Sequence, residues 1–225
     1  MNAGHGGAGG IPGHDIVITR DPAHAGAHIR FTSGHRLNPL TRGLVTDLIA
    51  AIKQVSAAAP PVITLQGGDN FSCGAHKDEL ATLTEAELDH FIEDELELCD
   101  LVAHLPMVTI AAVQGACIGN AADLALSCDL RVACDDAVFA WPEVRIGYPA
   151  PVHRLAHYVG RGLATQLAVL GEQVTARRAH ELGLVSEVVT PAALPGHLKD
   201  LAERAASLPR SAVAATKQRL DAVFP

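Results

Sequence analysis

Aromatic residues are scarce in this chain, at 4% of 225 residues with a single tryptophan, Trp141. A hydrophobic fraction of 48% is therefore carried mainly by Ala, Val, Leu and Ile, side chains suited to close packing of helices on a sheet. Basic residues are also few: 17 Lys and Arg against 25 Asp and Glu give a formal charge of −8, with no basic cluster. A nucleic-acid-binding role has no electrostatic footprint in such a chain. Five cysteines, Cys73, Cys99, Cys117, Cys128 and Cys134, are an odd number with no CxxC pair, which predicts reduced thiols and a cytoplasmic setting. The longest apolar stretch, Met107 to Cys128, is interrupted by Gln114, Asn120 and Asp123, which argues against a membrane span. The opening MNAGHGGAGGIPGH lacks the charged and apolar regions of a secretory signal, so residues 1–14 are expected to form a flexible Gly-rich tail. No GxGxxG follows a strand, and no P-loop, HExxH or internal repeat occurs. His153 and His157 have the i, i+4 spacing of helical metal ligands but no third ligand, so no metal is expected.

The length suits one domain with a full core. Asp15–Thr19 and Ala27–Phe31 read as a hairpin around Asp21-Pro22, and the period of Leu44, Leu48, Ile49 and Ile52 predicts a helix from Pro39 to about Ala57. Val62–Leu65 is a short buried strand. Thr84 and Glu87 form a capping box for a helix reaching about His104, whose many acids imply a solvated outer face. A β-branched strand at Val108–Val113, a helix at Gly119–Ser127 and a strand at Leu130–Ala133 make a βαβ crossover. Beyond it, Gly160 separates two helical patterns, Thr175 caps a helix ending at Gly183, and Leu184–Val189 reads as a strand. A helix over Pro195–Ala206 precedes a last basic segment.

Two glycine-bearing turns, FSCGA and CIGNA, each follow a buried strand and could each donate a backbone N–H to a common point, the arrangement of an oxyanion hole. The helix from Gly119 would add its positive end there. Glycines at these points also suit plain strand-to-helix turns. Asp123 lies four residues after Gly119, one turn into the helix, and Glu143 follows Trp141-Pro142 directly after an apolar strand. Partial desolvation would push both carboxyls upward, as general acid–base work requires. The competing readings are a buried structural acid for Asp123 and a surface acid paired with Arg145 for Glu143. Cys73 reads as a packing residue, since no oriented His partner is visible.

FSCGAHKDEL, AAVQGACIGNAADLALSCDLRVA, FAWPEVRIGY and VGRGLATQLAVLGEQVTARRAHELGLVSEVV, in this order and spacing, resemble the enoyl-CoA hydratase/isomerase, or crotonase, superfamily from about Asp15 to Lys217. The resemblance implies an α/β fold, the crotonase-like ββα superhelix, with a core over residues 15–190 and a shortened C-terminal helical region over 191–225. It implies an acyl-CoA thioester as substrate, no cofactor beyond the coenzyme A that the substrate carries, and assembly into trimers or hexamers. Ala75 and Asn120 match the two oxyanion donors. Asp123 and Glu143 match the carboxylates that hold water and move its proton in the hydratases, while isomerases use the Glu143 position alone. Phe71, Cys73, Gly74, His76, Gly119 and Trp141 flank these groups and are expected to contact substrate.

The chain departs from the family pattern at three places. Gly119-Asn120-Ala121 stands where GGG is usual, Asp123 where a glutamate is usual, and His76 where an acid follows the alanine, leaving a further titrating group near the thioester. An aspartate retracts the carboxylate by about 1.3 Å, and a misplacement of about 1 Å can slow a reaction about 100-fold. Similar members also continue past the Lys217 region, so an open pocket or a lid from a partner subunit is expected. The resemblance thus implies an enoyl-CoA hydratase, with an isomerase or decarboxylase relying on Glu143, or a non-catalytic accessory protein, as the alternatives.

Overall fold

The structure, a computed structural model, describes residues 13–20 and 26–223. Most of the expected tail, and the Asp21-Pro22 turn, lie outside the described residues. His14 is tied down, with Nε2 2.7 Å from Asp47 Oδ2. β1 (Asp15–Arg20) and β2 (Ala27–Thr32) pair antiparallel along their full length. Helix α1 (Arg42–Ala57) begins later than the hydrophobic period suggests, because the Thr41 hydroxyl accepts from Leu44 N and caps the helix there. The predicted stripe of Leu44, Leu48, Ile49 and Ile52 is its buried face.

β3 (Val62–Gln66) leads to the short α2 (Lys77–Leu80) and then α3 (Glu85–Ala103), where the Thr84/Glu87 capping box is present on both sides. The next turn consists of β4 (Val108–Val113), β5 (Ala116–Ile118) and α4 (Asn120–Ser127). β6 (Leu130–Cys134) and β7 (Val138–Ala140) follow, then a 3-10 turn at Glu143–Ile146 and α5 (Leu155–Leu170), which breaks at Gly160 with φ 72° and ψ 164°. β8 (Val174–Thr175), α6 (Ala176–Glu181), β9 (Glu187–Val189), α7 (Leu194–Ala206) and α8 (Arg210–Val223) complete the described chain.

Two sheets result. The larger has the order β1-β2-β3-β4-β6-β9 and is parallel from β2 onward. The smaller, β5-β7-β8, is extended by single-residue bridges between Ser72 and Cys117 and between Leu40 and Ala75. Each turn of chain thus places one strand in the large sheet, a few residues in the small one, and then a helix, which is the expected ββα superhelix. The simple βαβ crossover over 108–133 is corrected in one respect: β4 and β6 are parallel neighbours, but β5 leaves for the second sheet before α4 begins.

Three further expectations change. Leu184–Val189 is a strand only over β9, because the N–H groups of Leu184 and Val185 both turn back to Ala179 O. The basic segment after Pro209 is helix α8, held by buried Lys217, whose Nζ donates to Met107 O at 3.0 Å and Asp129 Oδ2 at 2.8 Å. His153 precedes α5, so it shares no helix face with His157. Among the described residues, no group of three or more His, Cys, Asp or Glu is placed to hold a metal ion, and no helix is long and apolar enough to cross a membrane.

Candidate active site

The two glycine turns meet back to back. Gly74 has φ 81°, and a Cβ on it would lie 2.7 Å from Ile118 O and 3.8 Å from Gly119 Cα, so only glycine lets the strands approach this closely. In the bridge to Leu40, Leu40 N donates to Gly74 O and His76 N donates to Leu40 O, which turns the intervening Ala75 N–H to the opposite side. Ser72 Oγ accepts from Gly74 N at 3.0 Å, and Asn38 Nδ2 donates to Phe71 O at 2.7 Å. On the other turn, Gly119 N donates to Ala140 O, and Asn120 is the first residue of α4, whose N–H has no intrahelical partner. Among the described residues, neither Ala75 N nor Asn120 N donates a hydrogen bond.

Glu143 lies directly over the second turn. Gly119 has φ 62°, and a Cβ there would stand 1.9 Å from Glu143 Oε1. Burial pushes the Glu143 carboxyl up to about 7, partly offset by its own backbone N–H, and Oε2 is buried without a hydrogen-bond partner. Asp123 is 2% exposed on α4 and Oδ1 likewise has no partner. Its carboxyl is raised to about 7, chiefly by burial, lowered in part by the charge and backbone N–H of Arg154, and raised further by the charge of Glu143. Arg145 does not pair with Glu143 but donates to Leu170 O at 2.8 Å, and the carboxylate ion-paired with Arg154 is that of Asp100, at 2.7 Å.

The flanking residues divide. Gly74 and Gly119 form the turns themselves. Cys73 is half-buried beside them, with its thiol pushed upward by burial, as suits packing. Phe71 and Trp141 are fully buried, Phe71 edge-on to Phe31 with centroids 5.3 Å apart, so both support the site from the core. His76 caps α2, its Nδ1 accepting from Glu79 N at 3.2 Å. A titratable group that adjoins the carboxylates is Glu95 of α3, buried and raised to about 8 by desolvation. Its signal was the helical stripe of Phe91, Leu98, Cys99 and Val102, which Glu95 interrupts. Arg154 and the loop-holding Asn38 and Asn70 also escaped notice in the sequence. Asn70 Oδ1 accepts from Ala116 N at 2.8 Å while its Nδ2 donates to Arg36 O, and no local motif announces such long-range ties.

Fold and site together define a superhelical enzyme scaffold presenting two backbone donors and a pair of raised carboxyls. Residues 23–224 match the enoyl-CoA hydratase/isomerase family, and the chain belongs to it. It is 31% identical to a probable enoyl-CoA hydratase of Mycobacterium avium over 93% of this chain and 83% of that one. It is 32% identical to a crotonyl-CoA hydratase of Syntrophomonas wolfei, over 90% of this chain and 80% of that one. The crystal structure of an enoyl-CoA hydratase from Bacillus anthracis superposes with a TM-score of 0.86 at 28% identity, covering 92% of this chain and 82% of that chain.

Proposed function

We propose that this chain adds water to 2-enoyl-CoA thioesters. The observation that carries the reading is the placement of the Glu143 carboxyl over Gly119, beside the free Asn120 N–H and the Ala75 turn. Water attacks C3 of the enoyl group, and one carboxylate of the pair takes its proton. The electrons move onto the thioester oxygen, where the N–H groups of Ala75 and Asn120 stabilise the enolate. The enolate then collapses, C2 takes a proton from the other carboxyl, and a 3-hydroxyacyl-CoA leaves. Because both carboxyls are raised to about 7, the pair holds close to one proton at neutral pH, which gives one base and one acid.

Replacing Glu143 by Gln is expected to lower kcat for hydration of crotonyl-CoA by at least about 100-fold with little change in folding. Unchanged turnover would remove Glu143 from the chemistry. A second reading, double-bond isomerisation by Glu143 alone, is favoured by the retracted Asp123 and its engagement with Arg154. Retention of isomerase activity in Asp123→Asn would select it. The reading includes a reducing cytoplasmic setting, in keeping with five free thiols, and a fatty-acid-type acyl chain. It also includes assembly into trimers or hexamers, supported by exposed Leu220 and Val223 on α8 and checked by light scattering.

A further inference from the structure

A third carboxyl group adjoins the first turn of α4. Glu95 belongs to the buried stripe of α3, one turn before Cys99, whose Sγ lies 3.9 Å from Asn120 Oδ1. Helix α3 therefore lays Glu95 against the turn that carries one of the two free N–H groups. Glu95 is 9% exposed and its Oε1 has no hydrogen-bond partner. Asn120 Nδ2, Asp123 Oδ1 and Glu143 Oε2 are in the same condition, so four buried polar groups converge with idle atoms. Glu143 is close enough for its charge to act on Glu95, and the Asn120 side-chain amide stands near enough that a small shift would let it donate to the Glu95 carboxyl, which offsets part of the burial. At neutral pH the Glu95 carboxyl is held in its uncharged form, an O–H donor with an acceptor oxygen beside it.

Water addition uses two carboxyls, and Asp123 and Glu143 supply them. Glu95 is left over. A buried polar atom without a partner is unfavourable, and an alkyl chain seated against it would leave it so. A hydrogen-bonding group on the acyl chain would satisfy it. Sites built to bond a substrate hydroxyl discriminate strongly against the analogue lacking it.

We propose that Glu95 selects the acyl group, and that the preferred substrates are 2-enoyl-CoA thioesters carrying a hydroxyl group beyond the double bond, bonded to Glu95. The proposal rests on the hydratase reading and specifies its substrate class. Its test compares isosteric pairs that differ by a terminal hydroxyl or methyl: 4-hydroxybut-2-enoyl-CoA with pent-2-enoyl-CoA, and the same pairing with one and with two further carbons. The unmodified chain is expected to show kcat/KM at least about tenfold higher for the hydroxylated member at one chain length. Glu95→Leu is expected to abolish or invert that ratio. Glu95→Gln, which keeps a donor and an acceptor, is expected to preserve it, as a purely structural role would not require.

Preference of the unmodified chain for the methyl member at every length overturns the proposal, and so does a Leu variant with an unchanged ratio. Where the Leu variant fails to fold, the ratio of the unmodified chain decides. Hydration of all pairs without hydroxyl preference ends the role of Glu95 alone. Absence of hydration together with no acyl-CoA binding by calorimetry ends the hydratase reading as well.

Discussion

Asp123 and Glu143 owe their raised pKa values mainly to burial, and the resulting protonation near neutrality has two measurable consequences. On the hydratase reading, a pair that supplies one base and one acid is expected to give a bell-shaped kcat/KM profile with both limbs near pH 7, and the residual activity of Glu143→Gln to keep only one of the two limbs. The stability effect has the opposite sense to that of an ordinary salt-bridged acid. Unfolded carboxyls lose their protons near pH 4, whereas Asp123 and Glu143 in the fold hold theirs to about 7 and Glu95 to about 8. The native state therefore binds more protons between these limits, and stability falls as pH rises from about 4 to about 8. For Glu95, raised from 4.5 to about 8, the effect is of the order of several kcal/mol. Thermal melts of Glu95→Gln across this window are expected to be flatter than those of the unmodified chain; parallel curves would show that Glu95 titrates normally.

At the scale of elements, the start of α4 is the constrained point. Gly119 combines φ 62° with the Glu143 carboxylate 1.9 Å from the position of a Cβ, so Gly119→Ala must push Glu143 aside and strain the turn. We expect a loss of about 1–3 kcal/mol in thermal or denaturant unfolding and at least about 100-fold in turnover, with the melting curve still cooperative. The far end of α4 is clamped as firmly: Arg131 donates to Leu184 O and Cys128 O and stacks 4.7 Å over Tyr158, whose hydroxyl donates to Leu126 O. Local patterns made much of this legible in the sequence. The Thr84 capping box, the stripe of α1, the glycine turns and the carboxylates at 123 and 143 all depend on residues near one another in the chain. What stayed hidden depends on distant partners. β5 is only three residues long and exists because β7 and Ser72 lie beside it. Glu95 was masked by the exposed acids around it on α3, although its place in the apolar stripe marked it. The cap formed by His76 could not be foreseen, because α2 has only four residues.

Across the whole molecule, Asp129 ties segments that are far apart in the chain. Its Oδ2 accepts from Thr109 N at 2.8 Å and from Lys217 Nζ at 2.8 Å, so β4, the start of β6 and α8 share one carboxylate. Lys217 is nearly buried while Asp129 is partly exposed, which places the contribution below that of a fully buried pair. Lys217→Ala is expected to lower stability by about 2 kcal/mol and to make α8 the first site of protease cleavage; an unaltered digestion pattern would show that α8 is held by other contacts. The small sheet has a different kind of consequence. Where it is one residue wide, Leu40 bonds the residues on both sides of Ala75 and leaves that amide free, while Asn120 is left free by its place at the start of α4. These two amide protons lie among locked neighbours yet have no partner among the described residues, so in hydrogen–deuterium exchange they should exchange faster than those of Ala122 and Asp123. A bound thioester oxygen should slow both together, making the pair a direct reporter of occupancy.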